Sequence, residues 1–167
     1  MAKNAGTIIS VMDEPRSRLA AGVPAVQDRL SFKIHQLTAQ LARVCNPLFR
    51  QYGVDLISSR LLVLVLELGA LKAGELVDHM MLPQSTISHQ LQRMEKLGYL
   101  ERSRRDSDQR VVTVTLTPTG RLVADACERL SLQVYATLID GVDPDTLTLL
   151  GDQVTDMVNR LRKIRDE

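Results

Sequence analysis

Residues 84–117, QSTISHQLQRMEKLGYLERSRRDSDQRVVTVTLT, change their periodicity once, at Gly98, and that change decides the fold. Before it, Ile87, Leu91 and Met94 recur at helical spacing and predict a helix over 84–97 with one apolar face. After it the period falls to two. Residues 99–104 (YLERSR) and 111–117 (VVTVTLT) read as strands, the second placing Val112, Val114 and Leu116 on one face. The polar stretch RDSDQR between them turns the pair into a hairpin.

Working outward towards the N-terminus, Leu82-Pro83 breaks the chain ahead of that helix. Lys72–Met81 predicts a short helix with Leu76, Val77 and Met80 on one face. Residues 58–68 (SSRLLVLVLEL) predict another, apolar almost all round, with Ser58 or Ser59 as N-cap and Gly69 beyond its end; a strand competes, but the cap and the leucines favour a helix. A longer helix carries Leu30, Ile34, Leu37, Leu41, Val44 and Leu48 on one stripe, loosened at Pro47 and closed by Gly53. Residues 1–27, with Pro15, Gly22 and Pro24, show no sustained period and read as an irregular arm. Towards the C-terminus, Thr117-Pro118 and Asp143-Pro144 are start signals for two more helices. The first places Leu122, Ala126, Leu130, Val134 and Leu138 on a seam, the second Leu147, Leu150, Val154, Met157, Leu161 and Ile164. Consecutive short helices followed by a hairpin describe a mainly α fold with a small β-hairpin wing, a winged helix-turn-helix plus a helical dimerisation region. The division is 1–27 for the arm, 28–57 and 118–167 for the dimerisation helices, and 58–117 for the winged domain.

Composition sets outer limits. The 167 residues are 44% hydrophobic and 25% charged, which suits one globular domain. Aromatic residues make up 3%, too few for a single-strand stacking platform. Two cysteines, Cys45 and Cys127, cannot make a disulfide framework, and the chain reads as cytoplasmic. No apolar run approaches the roughly 20 residues of a membrane span, and no signal peptide is read at the start. The formal net charge is +1, but it is segmented: 84–121 is net basic and 122–167 net acidic.

The basic segment is where chemistry concentrates. On the predicted 84–97 helix, Ser85, His89, Gln92 and Lys96 lie opposite the apolar face, flanked by Ser88 and Arg93 and with no carboxylate among them. Short polar and amide groups suit base edges in a major groove, and Arg and Lys suit phosphates. Gln84 and Thr86 sit in the first turn, where unpaired N–H groups meet anions. In the hairpin, Arg102, Arg104, Arg105 and Arg110 lie within nine residues, with Asp106 and Asp108 intervening. One carboxylate can pin an Arg while another Arg projects towards a minor groove. A plain solvated helix and a plain charged hairpin are the bland alternatives; taken together the two features favour double-stranded DNA.

Residues 58–120 resemble the winged helix-turn-helix of the MarR family of bacterial transcription regulators. The resemblance is carried by S-T-x-S (85–88), R-x-E-K-x-G-Y-L (93–100), D-x-R (108–110) and L-T-x-x-G (116–120), and the flanking helices extend it over roughly 28–165. It implies a homodimer joined by helices from both chain ends and binding a palindromic operator, most simply as a repressor. It further implies that Gln84 to Arg93 is the recognition helix and that Asp108 with Arg110 is the wing-tip pair. His89 stands where the family often has Arg. Family members commonly bind small aromatic or phenolic anions between the dimer helices and the winged domain, so such an effector is expected; His35 and Arg60 are the candidate polar contacts, with a plain surface position as the slightly favoured alternative for each. No cofactor is expected. A metal site is not expected either, since His35, His79 and His89 are scattered. Cys45 lies far from the start of its helix, where redox-sensing relatives carry their reactive Cys, and Cys127 reads as a buried small residue. No phosphate loop, nucleophile elbow or catalytic carboxylate pair is present, so no enzyme activity is expected. A winged-helix protein–protein adaptor, or a redox- or metal-sensing relative, are the alternatives.

Overall fold

The computed structural model describes residues 22–105 and 108–166, with the side chains of 104–111 and 165–166 outside that description. The expected arm therefore lies outside the described residues up to residue 21. The chain falls into two compact units, one spanning Thr38–Leu138 and the other formed by the residues through Leu37 and from Ile139.

After a 3-10 turn at Val26–Asp28, α1 runs Leu30–Phe49. Pro47 sits inside it without ending it; the helix tightens into a 3-10 turn, Arg50–Tyr52, and stops at Gly53, whose φ of 69° a Cβ would disfavour. Helix α2, Leu56–Leu68, starts two residues earlier than expected. Its N-cap is Asp55, whose carboxylate accepts the Ser58 N–H at 2.8 Å, and not Ser58 or Ser59. Gly69 ends it as expected. Helix α3 is Ala73–Met80 and helix α4 Gln84–Lys96, with Gly98 at φ 72° beyond.

The sheet has a strand that periodicity did not reveal. β1 is only Leu71–Lys72, pairing antiparallel with β3, Asp108–Leu116, at Val114 and Thr113. β2, Leu100–Arg105, flanks β3 on its other side, giving the order β1-β3-β2. The strands reach further into RDSDQR than expected, because Arg105 pairs with Asp108 after an irregularity between Arg104 and Arg105.

Helix α5, Pro118–Leu138, is fixed at its start from two directions. Thr117 Oγ1 accepts the Gly120 N–H at 2.9 Å, and its hydroxyl donates to the Gly98 carbonyl at 2.6 Å. The Thr117 N–H donates to the Tyr99 carbonyl at 3.0 Å. Gly120 packs so tightly there that an added Cβ would run into that same carbonyl, with its carbon 2.6 Å away. The seam expected on α5 holds in its middle, where Leu130 and Val134 pack against the core, but not at its ends: Leu122 is 70% exposed, Leu138 is exposed, and the fully buried residues are Gly120, Val123, Ala124 and Cys127. Helix α6, Pro144–Asp166, begins with Asp143 accepting the Thr146 N–H at 2.9 Å.

One core fills the Thr38–Leu138 unit. Phe49, Leu61, Leu62, Leu76, Ile87, Leu91, Met94, Leu100, Val114 and Cys127 are all at most 2% exposed. Because Cys45 and Phe49 of α1 and Val123, Ala124 and Cys127 of α5 belong to it, the winged domain's core takes in residues on both sides of 58–117. The remaining unit is different. Leu30, Ile34 and Leu37 of α1, and Leu150, Val154, Leu161 and Ile164 of α6, are all exposed in the single chain.

Candidate nucleic-acid interface

Helix α4 is set by a sharp entry. Met81 adopts φ 54°, and Leu82-Pro83 leads straight into Gln84. Pro83 offers no side chain to cap the first turn, so no side chain accepts the N–H groups there, and they favour an anion. Ile87, Leu91 and Met94 are buried as their spacing predicted. Ser85, Ser88, His89, Gln92 and Lys96 are exposed together on the opposite side, while Thr86 is half-buried.

Two concavities flank this face. A groove of about 570 Å³ between α3, α4 and the sheet brings together Lys72, Gln84, Ser88 and Arg102. A second, of about 300 Å³, collects His89, Gln92, Arg93 and Lys96 beside Gly53. The recognition residues expected from sequence thus gather on one helix and its two shoulders.

Two arginines in that set are already occupied. Arg93 donates through Nη1 to Asp55 Oδ2 at 3.0 Å and through Nη2 to the Gly53 carbonyl at 2.5 Å. Arg102 donates through Nε to Glu95 Oε2 at 2.9 Å, and Nη2 contacts the same oxygen. The carboxylate that pins a wing arginine therefore comes from α4 itself. The reason is strand period: Arg102 stands two residues from buried Leu100 and opposite buried Val114, so its stem points to the face packed on α4. Of the other wing residues, Arg104 pairs in register with Val112, and Arg105 with Asp108. The side chains of Arg104, Arg105, Asp108 and Arg110 lie outside the described residues.

The electrostatics follow these contacts. Burial pushes the Asp55 carboxyl up, but the Ser58 N–H and hydroxyl and the Arg93 guanidinium outweigh it and hold it below the ordinary value. The Arg102 hydrogen bond likewise holds Glu95 down, against a small opposing effect of burial. Sequence reasoning missed the group on the inner side of α4. Gln90 is only 9% exposed, and its side-chain amide meets the Ser58 hydroxyl at 2.8 Å; that hydroxyl also reaches Asp55 Oδ1 at 2.8 Å. An Asp directly before an apolar helical run, three residues ahead of Ser58, was the signal available for Asp55.

The expected effector residues separate. Arg60 lines a pocket of about 300 Å³ within the Thr38–Leu138 unit, among Leu41, Cys45, Leu64, Glu128 and Tyr135. His35 is not part of its lining; it is exposed on α1 with its ring 6.1 Å from Phe32. Both cysteines are buried. Burial raises the Cys45 thiol, with Arg60 opposing, and pushes Cys127 up to about 11. Among the described residues, no group of three His, Cys, Asp or Glu side chains could hold a metal, and no helix is long and apolar enough to cross a membrane.

Comparison with known proteins agrees with this geometry. Residues 58–112 match the MarR family. Over 100 residues the chain is 24% identical to the organic hydroperoxide resistance transcriptional regulator of Bacillus subtilis strain 168, a match covering 60% of this chain and 68% of that one. A MarR family transcriptional regulator from Silicibacter pomeroyi DSS superposes with a TM-score of 0.70 at 26% identity, over 80% of this chain and 89% of that one. The fold also matches S. aureus MepR in its DNA complex, with a TM-score of 0.73 at 15% identity over 80% of this chain and 98% of that one.

Proposed function

We infer that this chain is a transcriptional regulator of the MarR type and not an enzyme, and that it binds double-stranded DNA as a homodimer that recognises a palindromic operator, most simply as a repressor. The observation that carries the reading is the exposed, carboxylate-free face of Ser85, Ser88, His89, Gln92 and Lys96 on a helix whose inner side is locked into the core. Such a face has donors and acceptors for base edges and no charge that repels phosphate. S. aureus MepR and E. coli MarR, which share the fold, are themselves solved with DNA, and this supports the assignment. The uncovered apolar stripes of α1 and α6 support a second copy as their partner.

Selection of binding sites from random duplex tests the reading, with a palindrome as the expected product. On that palindrome, Gln92→Ala is expected to cost about 1–3 kcal/mol and to relax base preference at one position per half-site. Arg110→Ala, at the expected wing tip, should weaken binding to every sequence and reduce the salt slope by about 0.9. A protein showing no salt-sensitive binding to the selected or to random duplex would instead be an adaptor.

At the pocket of Arg60, a small aromatic or phenolic anion would have Tyr135 and Leu64 for its ring and the guanidinium for its charge, and would have to sit on the Arg60 side, away from the Glu67 and Glu128 carboxylates that also line the pocket. Binding there would favour a dimer whose recognition helices are mis-spaced for successive major grooves. Arg60→Ala is then expected to leave operator affinity within about 2-fold and to abolish release by salicylate, used as the probe. Unchanged release by salicylate from the variant would remove Arg60 from that role.

A further inference from the structure

Three contacts tie α4 to a single corner of the fold, the junction between α1 and α2. Arg93 meets the Gly53 carbonyl and the Asp55 carboxylate, and Gln90, one turn earlier on the same helix, meets the Ser58 hydroxyl. Asp55 is common to the set, since its Oδ1 takes the Ser58 N–H and hydroxyl while its Oδ2 takes Arg93. Its carboxylate thus caps α2 and grips α4 at once. Glu95 and Arg102 make a separate tie from α4 to β2, so the helix is held to the strand as well as to that corner.

We propose that Asp55 is a positioning residue for sequence recognition, setting the seating of α4 through Arg93 and through the Ser58–Gln90 pair. The proposal rests on the reading that α4 enters the major groove. A helix meeting base edges must be placed closely, because hydrogen bonds weaken steeply with distance and angle. Attraction to the phosphate backbone tolerates looser placement. Loss of the Asp55 grip therefore lowers affinity for the chosen sequence and spares affinity for any sequence. Arg93 stands beside Gln92 and Lys96 on the same shoulder and is the residue that sequence alone would give to a phosphate; its two hydrogen bonds turn it inward.

Asp55→Asn is the decisive variant, because Asn keeps an N-cap oxygen for Ser58 while removing the charge that holds Arg93. Arg93→Gln breaks the same tie from the other side. Wild type and both variants are titrated, over a range of salt, with the palindromic duplex recovered by selection and with random duplex of equal length. Each variant is expected to bind the palindrome about 10-fold more weakly and random duplex as wild type does, with the salt slope of Arg93→Gln unchanged. A slope reduced by about 0.9 in Arg93→Gln would make Arg93 a phosphate ligand and overturn the proposal. So would a parallel loss on both duplexes, which marks a general loss of folded protein, or wild-type discrimination in both variants. Wild type failing to bind either duplex overturns the groove reading and this proposal with it, and is seen before any variant is compared.

Discussion

Gly120→Ala is expected to destabilise the Thr38–Leu138 unit by about 3 kcal/mol or more, although Gly to Ala inside a helix ordinarily gains up to about 1 kcal/mol. The sign reverses because the new methyl has no free volume. It would sit 2.6 Å from the Tyr99 carbonyl carbon and 2.9 Å from the Tyr99 Cα, and these are backbone atoms that no rotamer change can move. Nor can the backbone retreat cheaply. Tyr99 and Gly98 are held to Thr117 by two hydrogen bonds, and Thr117 holds Gly120 by a third. Relief would require breaking the joint between hairpin and α5. Gly74, in α3, has nothing within 4 Å of a built Cβ and is the matching control, with Gly74→Ala expected within about 1 kcal/mol of wild type. Urea unfolding of the two variants reads both signs. Equal stabilities would show that the close approach at Tyr99 relaxes freely.

Phe49→Ala should cost about 3–5 kcal/mol, the range for removing a fully buried aromatic ring. Phe49 is 0% exposed and shares one buried cluster with Leu61, Leu62, Met94 and Cys127. The interest lies in where it comes from. It ends α1, a helix that periodicity assigns to dimerisation, yet its side chain completes the core on which α4 is packed. The variant is therefore expected to lose DNA binding and urea resistance together, with the isolated stripe residue Val44, 51% exposed, as contrast. Val44→Ala should change monomer stability by less than about 1 kcal/mol. Retained stability in Phe49→Ala would mean that α1 is a detachable strut.

Much of this was readable from residue order, for identifiable reasons. The switch of period at Gly98, the Ile87–Leu91–Met94 face and the Thr117 and Asp143 start signals are local patterns, and local patterns survive folding unchanged. What escaped was what depends on distant partners. β1 is two residues long, and its pairing with Val114 is invisible to any window that looks for alternation. The first turns of the α5 seam slipped because that helix carries apolar residues on more than one side, and packing along α2 selects Val123 and Cys127 over Leu122, while Leu130 and Val134 keep their place. Ser58 resembled a cap because it follows an unremarkable Leu-Ile pair, whereas its hydroxyl is spent on Gln90 and Asp55. Arg93 and Arg102 have the composition of DNA contacts, and only their neighbours Asp55 and Glu95, 38 and 7 residues away, show that they brace the helix. Arg102 was within reach of sequence all the same, since it is two residues from Leu100 on a strand.

The buried cysteines have a practical side. Cys45 is 2% exposed and Cys127 0%, and the chain has no third thiol. An engineered cysteine at Ser85, on the exposed first turn of α4, would therefore be the one position open to a maleimide spin label or fluorophore in the folded protein. In a homodimer the label appears once per subunit, so the distance between the two recognition helices becomes a ruler that can be read with and without ligand, without altering either native thiol.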